Sequence, residues 1–174
     1  MLGLAALILA AATANTSPGL SSASPWWEKF TFTMTDDGTQ QACQYRSSAS
    51  IAGAEGCGDD EDQSASMKHE ASGSTGTYTK ITIERRFTPG LAPEPVSLET
   101  GDTLLGGQVM AIAINDKGAV SSCEVVSESG KMTPPYGCDE ARSERFEASA
   151  RPATGDARHG VMTVLVYGHE EYPV

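Results

Sequence analysis

Residues 110–125 read MAIAINDKGAVSSCEV, and residues 30–45 read FTFTMTDDGTQQACQY. In the later stretch Met110, Ile112 and Ile114 alternate with Ala111 and Ala113. In the earlier one Phe30, Phe32 and Met34 alternate with Thr31, Thr33 and Thr35. A period of two marks a half-buried strand. Each run closes on a turn, Asp116-Lys117-Gly118 or Asp36-Asp37-Gly38, whose glycine tolerates the positive φ that a tight reversal needs. Cys123 with Val125, and Cys43 with Tyr45, then fall on a returning strand. Both stretches therefore predict β-hairpins, and their first residues, Phe30 and Met110, stand 80 positions apart.

The correspondence extends outward, from Phe30–Cys57 to Met110–Cys138. Cys57 follows Cys43 by 14 residues and Cys138 follows Cys123 by 15. Each pair is followed by a further alternating segment, Tyr78–Phe87 or Val161–Tyr167, and the tripeptide Glu-Ala-Ser occurs at 70–72 and again at 147–149. These matches predict an internal duplication. Between the copies, residues 88–106 carry Pro89, Pro93, Pro95, Gly90, Gly101 and Gly106, a composition suited to a connection. The expected organisation is a first hairpin-plus-strand unit over 26–87, this linker, and a second unit over 107–174. Within the second unit, Asp139–Ala150 predicts a short helix with Ala141, the Arg145 stem and Phe146 turned to the sheet. The counterpart, 58–77, is more polar and predicts a loop or a poor helix.

The N-terminal segment and the cysteines bear on compartment. Met1–Ala14 contains an uncharged apolar run that closes on Ala12-Thr13-Ala14, the small-x-small form of a signal-peptidase site, so residues 1–14 are expected to be a cleaved signal peptide. The run falls short of the roughly 20 residues a spanning helix needs, and no stable membrane span is expected after cleavage. Residues 15–25, rich in Ser and Thr, predict a disordered leader. All four cysteines, Cys43, Cys57, Cys123 and Cys138, lie beyond the cleavage point, as suits an oxidising compartment. Three connectivities are open to four cysteines. The local one, Cys43 with Cys57 and Cys123 with Cys138, is favoured because each bridge closes a similar short loop within one unit. No C-x-x-C knuckle is present, which argues against a zinc site.

Charge narrows the partners. A formal net charge of -11, from 23 acidic against 12 basic residues, repels phosphate backbones and anionic lipid surfaces, so nucleic acid is not an expected partner. At 174 residues and 39% hydrophobic content the chain makes one ordinary domain or two small subdomains sharing a core. The predicted class is α+β and sheet-dominated: a small antiparallel sheet or sheets, stapled by disulfides.

The ordered set Gly107-Gln108-Val109, the strand ending at Ile114, Asp116 with Gly118, the strand Val120–Val126, Ser129-Gly130, Phe146–Ala150 and the closing strand Val161–Val166 resembles the C-terminal domain of TonB-type energy transducers, from about residue 104 to residue 167. The resemblance implies a β-β-α-β sheet, periplasmic residence, and contact with an extended segment of a partner at a sheet edge. A cysteine on the second strand paired with one near the helix would also suit disulfide-bearing relatives of that family. The long Pro-rich spacer of a transducer is not seen here, and Pro134-Pro135-Tyr136-Gly137 stands where a hydrophobic helix start would be expected. The expectation is thus the fold used for binding.

Catalytic signals are sparse. His69, His159 and His169 fall in loop-like or terminal stretches with no matched carboxylate or nucleophile, and are expected on the surface. Asp59-Asp60-Glu61-Asp62 lacks the spaced order of a calcium loop and reads as a solvated acidic run. Arg85-Arg86, and Arg142 with Arg145, either grip a partner's carboxylates or lie on solvated faces. Trp26 and Trp27 pack in the core or meet a partner. Those two tryptophans and Val161, Val164 and Val166 of the closing strand are the candidate partner-binding residues. No cofactor and no metal is expected. The expected function is an exported, non-enzymatic binding or structural module that contacts an extended segment of an envelope protein. The alternative is a small-ligand carrier or hydrolase of the envelope, which would need a concave pocket with convergent polar groups.

Overall fold

A computed structural model of the chain describes residues 21, 23–35, 40–48, 57, 78–90, 92–93, 95–147 and 158–170. The expected signal peptide, most of the leader, the Asp36-Asp37-Gly38 turn, the 58–77 segment with His69 and the acidic run at 59–62, and residues 148–150 lie outside them.

Among the described residues, six strands form one antiparallel sheet: β1 (Trp26–Met34), β2 (Gln40–Ser47), β3 (Lys80–Pro89), β4 (Asp102–Ile114), β5 (Val120–Gly130) and β6 (Arg158–His169). A short helix, α1 (Cys138–Ser143), lies between β5 and β6. The strand order is β2-β1-β3-β6-β4-β5. Each hairpin places its first strand inward, beside a third strand, and the two third strands pair with each other along Lys80–Pro89 and Gly160–His169.

The hairpin registers differ by the spacing read in the sequence. Phe32 faces Cys43 and Ile112 faces Cys123; Met34 faces Gln40 and Ile114 faces Val120. In both hairpins the register shifts just before the last pair, so that Gln41 and Ser121 are the extra residues of two bulges at matching positions. The third strands add Phe30 opposite Ile83 in one half and Met110 opposite Met162 in the other.

Alternation sorts the strands onto two faces. The inner face carries Trp26, Phe32, Ile81, Ile83, Phe87, Met110, Ile112, Met162, Val164 and Val166, which form one apolar cluster with Phe146. Residues 131–147 fold over this face. The Phe146 ring stands 4.9 Å from Phe87, and burying it contributes on the order of 2–3 kcal/mol. The covering layer is fixed to the edge by the disulfide from Cys123 on β5 to Cys138, the first residue of α1, while Cys43 on β2 is bonded to Cys57. The chain is therefore a β-rich, disulfide-bearing fold.

Three expectations change. The predicted helix ends early, because Glu144 is extended and Arg145 and Phe146 form isolated bridges with Ala119 and Ser21. Phe146 N–H donates to the Gly118 carbonyl at 2.8 Å. A helix continued to residue 150 would lose that hydrogen bond and lift Phe146 from the core. The leader docks sooner than expected: Ser21 N–H donates to Arg145 O and Ser21 O accepts from Glu147 N–H, which satisfies its buried backbone. The segment joining β3 to β4 is shorter than the connection expected over 88–106, since β3 runs through Pro89 and β4 begins at Asp102. A register shift between Leu104 and Gly106 lets β4 start that early and still follow β6.

Candidate functional site: the β5 edge and its polar surroundings

The conspicuous charges of the two faces are absorbed internally. On the inner face, the Arg85 guanidinium pairs with Glu28 of β1 and with Glu144 beyond α1. It lies 4.4 Å from the Tyr136 ring and 5.1 Å from Trp26. Glu144 also accepts from Tyr136 OH at 2.6 Å and from Ser21 Oγ at 3.1 Å. Burial alone would lower the Arg85 pKa, but the carboxylates of Glu144 and Glu28 hold it above its ordinary value. The Tyr136 hydroxyl is pushed up by burial and by the charge of Glu144.

The outer face repeats the device. Glu84, 2% exposed, meets Lys29 Nζ at 3.0 Å, the Tyr167 hydroxyl at 3.0 Å and the guanidinium of Arg86. Burial, followed by the charge of Glu84, raises the Tyr167 pKa. Adjacent Arg85 and Arg86 thus point to opposite faces, and each finds its own acid within the chain. Each guanidinium is already engaged by acids of the chain itself. Arg142 pairs with Asp139 at 2.8 Å on the exposed side of α1, and Arg145 bonds backbone carbonyls.

His169 does have a matched carboxylate: its Nδ1 stands 2.8 Å from Asp102 Oδ1, because β4 and β6 pair Asp102 with His169. Neighbouring strands supply this partner, which spacing along the chain cannot reveal. His159 is exposed. Among the described residues, no group of three or more His, Cys, Asp or Glu is arranged to hold a metal ion, and no helix is long and apolar enough to cross a membrane.

The candidate partner-binding residues do not converge. Val164 and Val166 are in the core, and Val161 is buried on the outer face. All three lie on β6, which is hydrogen-bonded to β3 on one side and β4 on the other, so this strand offers no edge for addition. Trp26 is buried against Phe87, at 6.1 Å between rings, while Trp27 is half-buried on the outer face with Lys29 Nζ 5.8 Å from its ring.

The edges are β2 and β5. β5 carries the more exposed side chains, including Val125 at 38% and Val126 at 56%. Val125 pairs with Met110 and Ser127 with Val109, which leaves Val126 as the extra residue of a second bulge on this strand. Bulges at sheet edges re-aim side chains outward. β5 contains neither Lys nor Pro, the usual guards of a strand edge. Arg142 covers one end, its Nη2 donating to the Cys123 carbonyl at 3.5 Å. Residues 125–130 beyond it remain exposed, a length of about 20 Å at 3.3 Å per residue. The sequence signal was the Val125-Val126 pair, two adjacent apolar residues that break the alternation of a returning strand.

At the inner flank of this edge, Gln108 of β4 donates through Nε2 to Glu128 at 3.0 Å, while its Oε1 is buried without a hydrogen-bond partner. Glu140 Oε2 accepts from Gly137 N–H at 2.8 Å and thereby caps α1. No protein-family model matches the chain, and neither a curated protein nor a solved structure is similar to it.

Proposed function

We propose that the chain is an exported, non-enzymatic binding module built from two units of TonB C-terminal type, and that it docks an extended segment of an envelope protein along β5. The observation that carries this reading is the exposed β5 edge with Val125 and Val126 turned to solvent. An incoming strand gains affinity from main-chain hydrogen bonds at such an edge, and selectivity from alternate side chains. The order β5-β4-β6 with α1 between β5 and β6 is consistent with the β-β-α-β arrangement that the sequence resemblance implies. The matched hairpin registers and bulges support a duplication, after which the two third strands pair with each other. Two disulfides are compatible with a periplasmic or secreted location.

A photo-crosslinking residue at position 126, compared with one at position 44 on β2, tests the reading in intact cells. A specific envelope adduct from 126 that is absent from 44 is the expected result. Equal adducts from both positions, or none from 126, would overturn it. Cell fractionation in the same experiment reports the compartment.

A further inference from the structure

We propose that Gln108, Glu128 and Glu140 form a subsite for a basic side chain, lysine or arginine, carried by the segment that docks on β5. This inference rests on the strand-addition reading above and adds the chemistry of its partner. The hydrogen bond from Gln108 Nε2 to Glu128 fixes the amide, so Oε1 is turned away from Glu128. Gln108 is 8% exposed, and Oε1 has no donor. A buried acceptor without a donor is costly to the fold and is satisfied when a ligand supplies one.

Gly137 lies between the two acceptors. A Cβ built on Gly137 would lie 3.6 Å from Gln108 Oε1 and 3.5 Å from Glu140 Oε2, so both acceptors border the space left by the missing side chain. Among the described residues, neither Glu128 nor Glu140 has an ion-pair partner. The group is therefore made of acceptors: two carboxylates and an amide oxygen. An ammonium or guanidinium offers donors only and brings the opposite charge, and the guanidinium fork can bridge two acceptors at once. Glu124 on the same edge and the net charge of -11 favour a basic segment over an acidic or neutral one.

Two fluorescein-labelled peptides test this on the full chain: an alternating Thr/Val core flanked by arginine, and the same core flanked by glutamine. Fluorescence anisotropy gives the affinities, and amide exchange on β5 gives the location. The arginine-flanked peptide is expected to bind at least about tenfold tighter, with protection at residues 125–130. Glu128→Gln with Glu140→Gln retains the acceptors that hold Gln108 and cap α1, and should reduce that preference to about threefold or less. Equal binding of the two peptides, or a preference that survives the double substitution, would overturn the subsite and leave strand addition standing. Binding of neither peptide, or protection elsewhere, would overturn both.

Discussion

Arg85 of β3 and Glu144, the first residue after α1, form an ion pair beneath the covering layer, and the same guanidinium reaches Glu28 on β1. One side chain thus joins the sheet to the segment that closes its inner face. Two carboxylates converge on it, so its removal leaves one buried and one partly buried charge without their counter-ion.

Arg85→Met is accordingly expected to cost about 3–5 kcal/mol, because breaking a buried pair leaves uncompensated charge behind. Urea unfolding measures this directly. Adding Glu28→Gln and Glu144→Gln to the same variant should recover part of the loss, since amides are cheaper to bury than carboxylates. A loss under about 1 kcal/mol for Arg85→Met would mean that water screens the cluster after all.

Alkaline pH supplies a second test. Tyr136 and Tyr167 have pKa values raised in the folded state, by burial first and then by Glu144 and Glu84 respectively. The unfolded chain releases these protons near the ordinary tyrosine value of about 10. The folded state binds more protons above that pH, so the stabilisation is full below about pH 10 and declines as pH rises further. Stability measured between about pH 8 and 11 should therefore fall less steeply in Tyr136→Phe and Tyr167→Phe than in the parent chain. Identical slopes would rule out both hydroxyls as the source.

Much of this architecture was legible because it is local. The Phe30–Met34 and Met110–Ile114 alternations, the Asp116-Lys117-Gly118 turn and the paired cysteines all act within about 30 residues, where period and spacing reveal them. The β3–β6 pairing joins residues about 80 positions apart and leaves no local mark, so the single palindromic sheet was not foreseen. One clue was present: Val161-Met162-Thr163-Val164-Leu165-Val166 is nearly continuously apolar, the signature of a strand buried on both faces and not of an exposed edge. Glu28 and Glu84 were invisible as interior residues, because a carboxylate in a strand reads as solvent-facing until its basic partner on the next strand is known. The exposed β5 edge was half-legible, through the Val125-Val126 break in alternation.

Disulfide removal should expose the likeness of the two hairpins. The bridges span 14 and 15 residues, and each loop is worth roughly 3 kcal/mol in the chain-entropy account. Cys43→Ser with Cys57→Ser, and Cys123→Ser with Cys138→Ser, should therefore lower stability by similar amounts if loop closure is the whole effect. A larger loss from the second pair, read from thermal melting, would give the docking of α1 onto β5 its own energetic weight. Intact mass with and without reductant should show all four thiols paired.

The docking of Phe146 on the second hairpin can be isolated by comparing two glycines. Gly90 and Gly118 both have positive φ, +102° and +79°, but a Cβ at Gly90 meets nothing within 4 Å, whereas one at Gly118 would collide with the Phe146 carbonyl oxygen. Gly90→Ala should cost about 1–2 kcal/mol, the backbone term alone. Gly118→Ala should cost more, because the chain at Phe146 must also retreat and draw its ring from the core. Phe146→Ala by itself is expected to cost about 3–5 kcal/mol. If the excess at Gly118 arises from displaced Phe146, it should largely vanish when Gly118→Ala is made in the Phe146→Ala background, because the two losses share one contact. Full additivity in that cycle would show that the cost at Gly118 does not pass through the Phe146 ring.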